Sequence, residues 1–299
     1  MSKINIPLTV PKTKVKTYLK NYDLATHDVG RLFLFAGDQK VEHLNDDFYG
    51  QDINKQDNNP EHLFQIASQA KIGVFATQLG LIAKYGNSYK KVPYLIKLNS
   101  KTKLSGGDNP ISKELATVKE VIEFKKQSKL KILGIGYTVY IGGDDEADIL
   151  QEASQAIIEA HKQGLIAVIW MYPRGKNIKN EEDIHLIAGG AGVALCLGAD
   201  FVKVKYPYDG REATAKKFKE VVEAAGRTKV ICAGGSKISP KDLLKNIYYQ
   251  INTAKTSGSA IGRNIHQYSL EKAVKLANAI SALVYQKAKL EKAIKMLEK

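Results

Sequence analysis

The chain is poor in the residues that mark secreted, disulfide-stapled or membrane-spanning proteins. Its two cysteines, Cys196 and Cys232, lie far apart in apolar segments and without metal-ligand spacing. That excludes a disulfide scaffold, and both thiols are expected to be buried and reduced in a cytoplasmic protein. No apolar run approaches the roughly 20 residues needed to span a bilayer, so no membrane partner is expected. The opening segment, MSKINIPLTVPKTKVK, has neither an apolar stretch nor a cleavage site and does not read as a secretory signal. Arginine is scarce too: Arg31, Arg174, Arg211, Arg227 and Arg263 are all there are among 45 basic residues. The net charge of +14 invites a nucleic-acid reading. However, the excess is lysine spread along the chain with glutamate between, whereas phosphate-gripping surfaces cluster cations and favour the arginine fork. A solvated lysine-rich surface is the expectation, with no nucleic-acid partner. A basic RNA-binding barrel stands as the non-enzyme alternative.

What is present is a rhythm. Hydrophobic residues make up 44% of the chain, enough for a full core. Residues 1–30 are polar and poorly periodic, and read as an N-terminal arm or partial cover. Eight short runs follow: RLFLFA (31–36), IGVFAT (72–77), PYLIKLN (93–99), KILGIGYTVY (131–140), LIAVIWMY (165–172), DFVKVKY (200–206), KVICAG (229–234) and GSAIG (258–262). Each is rich in β-formers and bounded by Gly, Pro or polar residues, as strands buried on both faces should be. The stretches between them carry helix signals. Asn59-Pro60 and Ser239-Pro240 put a capping residue before a first-turn proline. Acids at 181–183 follow Asn180, as in a helix's first turn. Gly164 and Gly226 fall where helices should stop.

Eight strands alternating with helices over about 250 residues have the size of a TIM (β/α)8 barrel, an α/β fold. A doubly wound sheet is the lesser option, because no G-x-G-x-x-G follows the first strand. The expected organisation is an arm over 1–30, a catalytic barrel over 31–268 and a C-terminal helical extension over 269–299, read as one long helix. That helix either packs on its own barrel or helps assemble an oligomer.

If the strands are right, their C-terminal ends deliver a definite set of groups to one mouth. These are Asp38, Lys97, Asn99, Tyr137, Trp170, Tyr172, Arg174, Lys203 and Lys205, then GGSK (234–237) and GRN (262–264). The long segments 37–59 and 99–110 follow strand ends and are expected to serve as lid or binding loops. Lys203 and Lys205 alternate with Val202 and Val204, so both lysines should share the inward face. A lysine inside a barrel must be desolvated, paired or chemically used. Desolvation and a neighbouring ammonium at Lys205 would lower the pKa of Lys203, giving the neutral amine a Schiff base needs. An ion pair to Asp38 is the equal alternative. Gly234, Gly235 and Gly262, with Arg263 and the helix N-termini beyond, form a phosphate-site pattern whose rival is a pair of tight turns. Glu42 and His43 read as a solvated or substrate-facing pair rather than a metal site, since no second histidine has ligand spacing. His27, His62, His161 and His185 read as surface residues, and His266 as a possible border of the phosphate site.

IKLN (96–99), WMYPRGK (170–176), GADFVKVKY (198–206), AGGSK (233–237) and IGRN (261–264) occur in this order. Together they make the chain, over residues 31–268, resemble the archaeal-type class I fructose-1,6-bisphosphate aldolases of the deoxyribose-phosphate aldolase superfamily. The resemblance implies Lys203 as the Schiff-base lysine, Tyr172 as general acid/base and Asp38 as the carboxylate closing strand one. It further implies Trp170, Arg174 and Lys205 as substrate contacts, and Gly234, Gly235, Gly262 and Arg263 as the phosphate grip. No metal or cofactor is implied; the partners are a phosphorylated sugar substrate and further copies in a homo-oligomer. An aminodideoxyheptulosonate synthase-like transaldolase and a thiolase-type relative are the neighbouring activities. The chain departs from the resemblance in three places. Gln39-Lys40 follows Asp38 where Asp-His-Gly is usual, Tyr206-Pro207-Tyr208-Asp209-Gly210 replaces a Tyr-Thr-Gly run, and AGGSK replaces SGGPK.

Overall fold

The computed structural model describes residues 4–105, 107 and 109–298. Eight parallel strands close into a barrel: β1 (Leu32–Ala36), β2 (Val74–Gln78), β3 (Pro93–Lys97), β4 (Lys131–Ile141), β5 (Ile166–Pro173), β6 (Phe201–Val204), β7 (Lys229–Ala233) and β8 (Gly258–Ile261). They pair in chain order, and β1 meets β8 with Leu32 opposite Gly258. All eight expected strands are present at the expected places. Alternation sorts their side chains into two cores. Leu32, Leu34, Val74, Leu95, Val168, Trp170, Phe201 and Ile231 fill the barrel. Phe33, Phe35, Phe75, Ile96, Val202 and Val204 face the helices.

Each strand is followed by helix. α1 (Glu61–Gln69), α2 (Leu79–Tyr85), α3 (Val118–Ser128), α4 (Glu146–Lys162) and α5 (Ile184–Leu197) follow β1 to β5. β6 is followed by the pair Glu212–Lys217 and Lys219–Ala224, β7 by Pro240–Asn252 and β8, past one short turn, by Leu270–Gln286. The caps follow the sequence closely. Ser239 accepts from the Asp242 amide at 3.1 Å with Pro240 next, and Asn59 accepts from the Glu61 amide at 3.0 Å. Gly164 and Gly226 take the left-handed conformation at φ 71° and 54°. One cap differs: the helix after β5 starts at Ile184 with Asp183 as its cap, so Glu181 and Glu182 precede it and are free to bind cations.

The N-terminal segment carries a helix, Val15–Thr26, that the sequence pattern did not predict. Tyr18, Tyr22 and Ala25 on it join the barrel's inner core, and Tyr22 stacks on Phe201 at 5.6 Å. The segment therefore closes the barrel's N-terminal end. Asp200, one residue before β6, accepts from Tyr18 Oη (2.5 Å) and the Ala167 amide (2.7 Å), and lies 3.1 Å from His161 Nε2.

Several expectations are corrected. The C-terminal stretch is two helices, Leu270–Gln286 and Leu290–Lys295, broken at Lys287 where φ is 53°. The first of these is the barrel's own last helix: Leu276, Ala277, Ile280, Leu283 and Val284 belong to the outer core. His161 and His62 are buried, not surface residues, and His27 is partly buried with Nε2 2.9 Å from the Ile72 carbonyl; only His185 is exposed. Each of the three has a partner within the fold, which sequence spacing does not reveal. Cys196 is exposed on the outer face of α5, while Cys232 is buried as expected.

Candidate active site

The groups at the strands' C-terminal ends sort by the barrel's alternation. Lys203 follows Phe201 on the inward face of β6, is only 5% exposed and lies in register with Trp170 of β5. Its Nζ is 4.9 Å from the Trp170 ring centroid, and it forms no ion pair among the described residues. Asp38 sits just past β1 on the same interior, 1% exposed, with both carboxylate oxygens unpartnered among the described residues. The alternative of a structural Lys203–Asp38 ion pair is thus not realised. Desolvation pushes the Lys203 pKa down, Asp38 and Glu42 oppose it, and Arg263 assists. The structure corrects the assignment of the assisting cation. Lys205 lies beyond the end of β6, 35% exposed, and pairs with Glu182 at 3.1 Å and Glu181 at 3.7 Å.

Trp170 owes its place to a glycine. A Cβ on Gly136 of β4 would lie 2.5 Å from Trp170 Cη2 and 2.9 Å from Leu95 Cδ2, so only hydrogen fits beneath the indole. Tyr172, two residues on, is opposite Tyr140 of β4, and the two rings stack at 6.2 Å. Burial raises the Tyr172 pKa above its ordinary value, and the Glu42 and Asp38 charges add to that. The phenol is therefore held protonated. Arg174 lies over the Tyr172 and Tyr140 rings at 5.6 and 5.9 Å and makes a two-pronged bond to Glu181 at 2.6 and 2.8 Å.

On β4 the sequence reading chose the wrong tyrosine. Tyr137 faces the helices and donates to Glu152 at 2.8 Å, whereas Tyr140, three residues on, joins the mouth. Two further mouth residues stand out. Lys97, fully buried at the end of β3, donates to the Asn99 carbonyl at 2.6 Å and to Glu42 at 3.3 Å, and approaches the same indole at 5.5 Å. An ammonium has three donors, so one remains after these two. Glu42 is the half of the Glu42/His43 pair that reaches the mouth, through its bond to Lys97, while His43 bonds Asp47 at 2.6 Å. Asn99 turns inward to Thr138 and Ser112, bracing the segment after β3 rather than facing the mouth.

The ends of β7 and β8 are built tightly. Gly235 takes φ 64° with the Tyr208 ring beside it, and a Cβ on Gly234 would crowd Ile261 at 3.1 Å. Gly262 is filled from the other side: a Cβ there would lie 2.9 Å from Gln39 Cδ and from the Ala36 carbonyl oxygen. Gln39, where the sequence departs from Asp-His-Gly, thus packs directly on this turn. Arg263 bridges the two ends, donating to the Gly235 carbonyl at 3.1 Å with Nε 3.5 Å from Asp47. The expected helix N-termini are weaker than the pattern implied. The helix after β7 starts at Pro240, beyond the glycines, and Gly262 caps a single turn, Arg263–His266. His266 lies beneath this turn, 2.7 Å from Asp57 and stacked on Phe48. It therefore anchors the 37–59 loop instead of bordering the mouth. That loop and the segment after β3 meet where Lys103 N donates to the Glu42 carbonyl at 2.9 Å. Gly106 and Asp108 of the second segment lie outside the described residues. Among the described residues no group of three or more His, Cys, Asp and Glu side chains could hold a metal ion, and no helix is long and apolar enough to cross a membrane.

The chain is similar to several known proteins. The family model for DeoC/LacD family aldolases matches residues 32–268. A Methanocaldococcus jannaschii protein named fructose-bisphosphate aldolase/6-deoxy-5-ketofructose 1-phosphate synthase is 56% identical, over 98% of this chain and 94% of its own. A solved fructose-bisphosphate aldolase from Slackia heliotrinireducens superposes with a TM-score of 0.95 at 46% identity, over 99% of this chain and 94% of that one. An archaeal fructose-1,6-bisphosphate aldolase, solved with its catalytic lysine covalently bound to the carbinolamine intermediate of the substrate, superposes with a TM-score of 0.77. It is 31% identical over 90% of this chain and 99% of its own. The chain belongs to the DeoC/LacD family of aldolases.

Proposed function

We propose that the chain is a class I, metal-independent aldolase that cleaves and forms the C3–C4 bond of fructose 1,6-bisphosphate, with Lys203 as its Schiff-base residue. One observation carries the reading: Lys203 is a buried, desolvated amine at the barrel mouth, in contact with the Trp170 ring and free of any ion pair among the described residues, with the protonated Tyr172 two residues beyond that tryptophan on β5. Neutral Nζ attacks the C2 carbonyl of the ketose phosphate to give a carbinolamine. Tyr172 protonates the leaving oxygen, water departs and an iminium remains. The Tyr172 phenolate left by that step takes the proton of the C4 hydroxyl, the C3–C4 bond breaks and its electron pair enters the iminium to form an enamine. Glyceraldehyde 3-phosphate leaves. Protonation at C3 and hydrolysis release dihydroxyacetone phosphate and restore the amine. Asp38 accepts hydrogen bonds from the sugar hydroxyls or carbinolamine. The turn formed by Gly234, Gly235, Gly262 and Arg263 receives a phosphate, with Trp170, Arg174 and Lys205 lining the approach.

Borohydride reduction in the presence of dihydroxyacetone phosphate, followed by peptide mass mapping, tests the assignment. The expected result is one adduct, on Lys203, with activity that survives EDTA. An adduct elsewhere, or activity abolished by EDTA, overturns it. A second reading is favoured by the 56% identity to a protein named for two activities. The same enamine on Lys203, if met by another aldehyde before protonation, forms a new ketose phosphate, so a synthase reaction needs no further catalytic group. Product analysis with competing aldehydes separates the two.

A further inference from the structure

A cavity of about 630 Å³ opens at the N-terminal end of the barrel, opposite the mouth. It lies between the N-terminal segment and the loops that lead into β1, β6, β7 and β8, with Arg31, Arg227, Lys229 and Lys255 among its lining residues. Its arginines set it apart. Of the chain's five, Arg174, Arg211 and Arg263 each pair with a carboxylate: Glu181, Asp209 and Asp47. Arg31 and Arg227 pair with none among the described residues, and both line this one cavity. Arg31 is partly buried, its side chain's one hydrogen bond among the described residues going to the Val284 carbonyl at 3.3 Å, and burial alone pushes its pKa down. Arg227 donates to the Asn5 side chain at 3.1 Å. Lys229 and Lys255 likewise form no ion pair among the described residues. Of these cations only Arg31 is partly withdrawn from water, Arg227, Lys229 and Lys255 being exposed. A guanidinium so withdrawn without a counter-charge is costly, and the rigid arginine fork matches phosphate or carboxylate oxygens. The carboxylates nearby do not neutralise the group. Asp200 is taken up by Tyr18, His161 and the Ala167 amide. Asp23 and Asp28 line the cavity outside ion-pair distance of these cations.

We propose that this cavity is a second anion site, taking a small phosphate ester whose oxygens meet Arg31 and Arg227. Its volume falls in the range of roughly 300–1,000 Å³ typical of small-molecule sites. Hydroxyls on such a ligand would find acceptors at Asp23 and Asp28. The loops of the site feed the strands that carry Asp38, Lys203 and the β7 and β8 turns, so an occupant would sit at the foot of the catalytic strands.

Calorimetric titration of the full-length chain with inorganic pyrophosphate tests the site without reference to turnover, so its failure is distinct from failure of the aldolase reading. Three variants accompany the parent: Arg31→Gln/Arg227→Gln, Arg227→Gln alone in case Arg31 is needed for folding, and Arg263→Gln at the mouth. The expected result is a binding event that persists in Arg263→Gln. It should weaken at least about tenfold in the double variant, as loss of a charge-assisted hydrogen bond implies, and measurably in Arg227→Gln. Pyrophosphate binding that is lost only in Arg263→Gln, binding unchanged by both cavity variants, or no binding at low salt would each overturn the proposal.

Discussion

Gly136→Ala is the sharpest test of how the mouth is assembled. The added methyl would lie 2.5 Å from Trp170 Cη2 and 2.9 Å from Leu95 Cδ2, against ordinary carbon contacts of roughly 3.5–4.0 Å. The indole must therefore retreat by about 1 Å or more. Overpacking of this kind costs about 1–3 kcal/mol, which should appear as a drop of several degrees in Tm. The larger effect falls on chemistry, because both Lys203 and Lys97 approach this ring. A displacement of about 1 Å beside a nucleophile can lower kcat on the order of 100-fold. Thermal denaturation and steady-state cleavage of fructose 1,6-bisphosphate read the two effects separately. Trp170→Phe, which removes the ring atoms facing Gly136, should restore Tm in the double variant, so the pair should be strongly non-additive. Additive losses, or a Gly136→Ala enzyme with parental kcat, would refute the role given to the glycine.

Other predictions follow from the same geometry. Lys203→Met should abolish borohydride trapping yet match or exceed the parent in stability. A buried lysine with a lowered pKa binds fewer protons folded than unfolded, so parental stability rises with pH toward the ordinary lysine value of about 10.4, and the variant's advantage should shrink over that range. An advantage that grows with pH contradicts the burial argument. Tyr172→Phe should lower kcat by about 10²–10⁴-fold while still allowing slow trapping on Lys203, as expected of a proton-transfer residue; parental kcat would exclude that role. Tyr18→Phe removes the 2.5 Å bond to Asp200 and should cost about 1–3 kcal/mol in urea unfolding with kcat preserved. An unchanged midpoint would show that the bond contributes nothing.

The strands were legible because both barrel faces demand apolar β-formers, and runs such as LFLFA and IAVIWMY have no other use. The inward placement of Lys203 followed from alternation, since it lies two residues from the interior Phe201, and that of Asp38 from its position at the end of the first strand. What alternation could not reveal was where a strand stops. Lys205 shares the phase of Lys203, but β6 ends at Val204 and the Lys205 side chain is released to Glu181 and Glu182. Tyr137 and Tyr140 were confused for a related reason. Counting from the end of a long strand is ambiguous until a register is known, and β4 runs through Ile141. The helix at Val15–Thr26 was missed because its buried face, Tyr18, Asn21, Tyr22, Ala25 and Thr26, mixes polar with apolar residues among lysines, too weak a stripe to show as a period. Buried His161 and His62 were hidden because their partners lie far away in sequence, at Asp200 and at the carbonyls of His266 and Tyr268.

The seam between β1 and β8 bears on how the molecule is made. Leu32 pairs with Gly258, and a Cβ on that glycine would lie 2.8 Å from the Leu32 carbonyl carbon, so the two strands close with no slack. During synthesis the first strand leaves the ribosome long before its neighbour exists. Until the last strand arrives, the nascent sheet keeps two open edges of unpaired amides and carbonyls, the surfaces on which chains template one another. A message truncated anywhere before residue 258 should yield aggregate and not a smaller enzyme. The same seam makes closure a late, long-range event, so folding should be slow for a protein of this helical content.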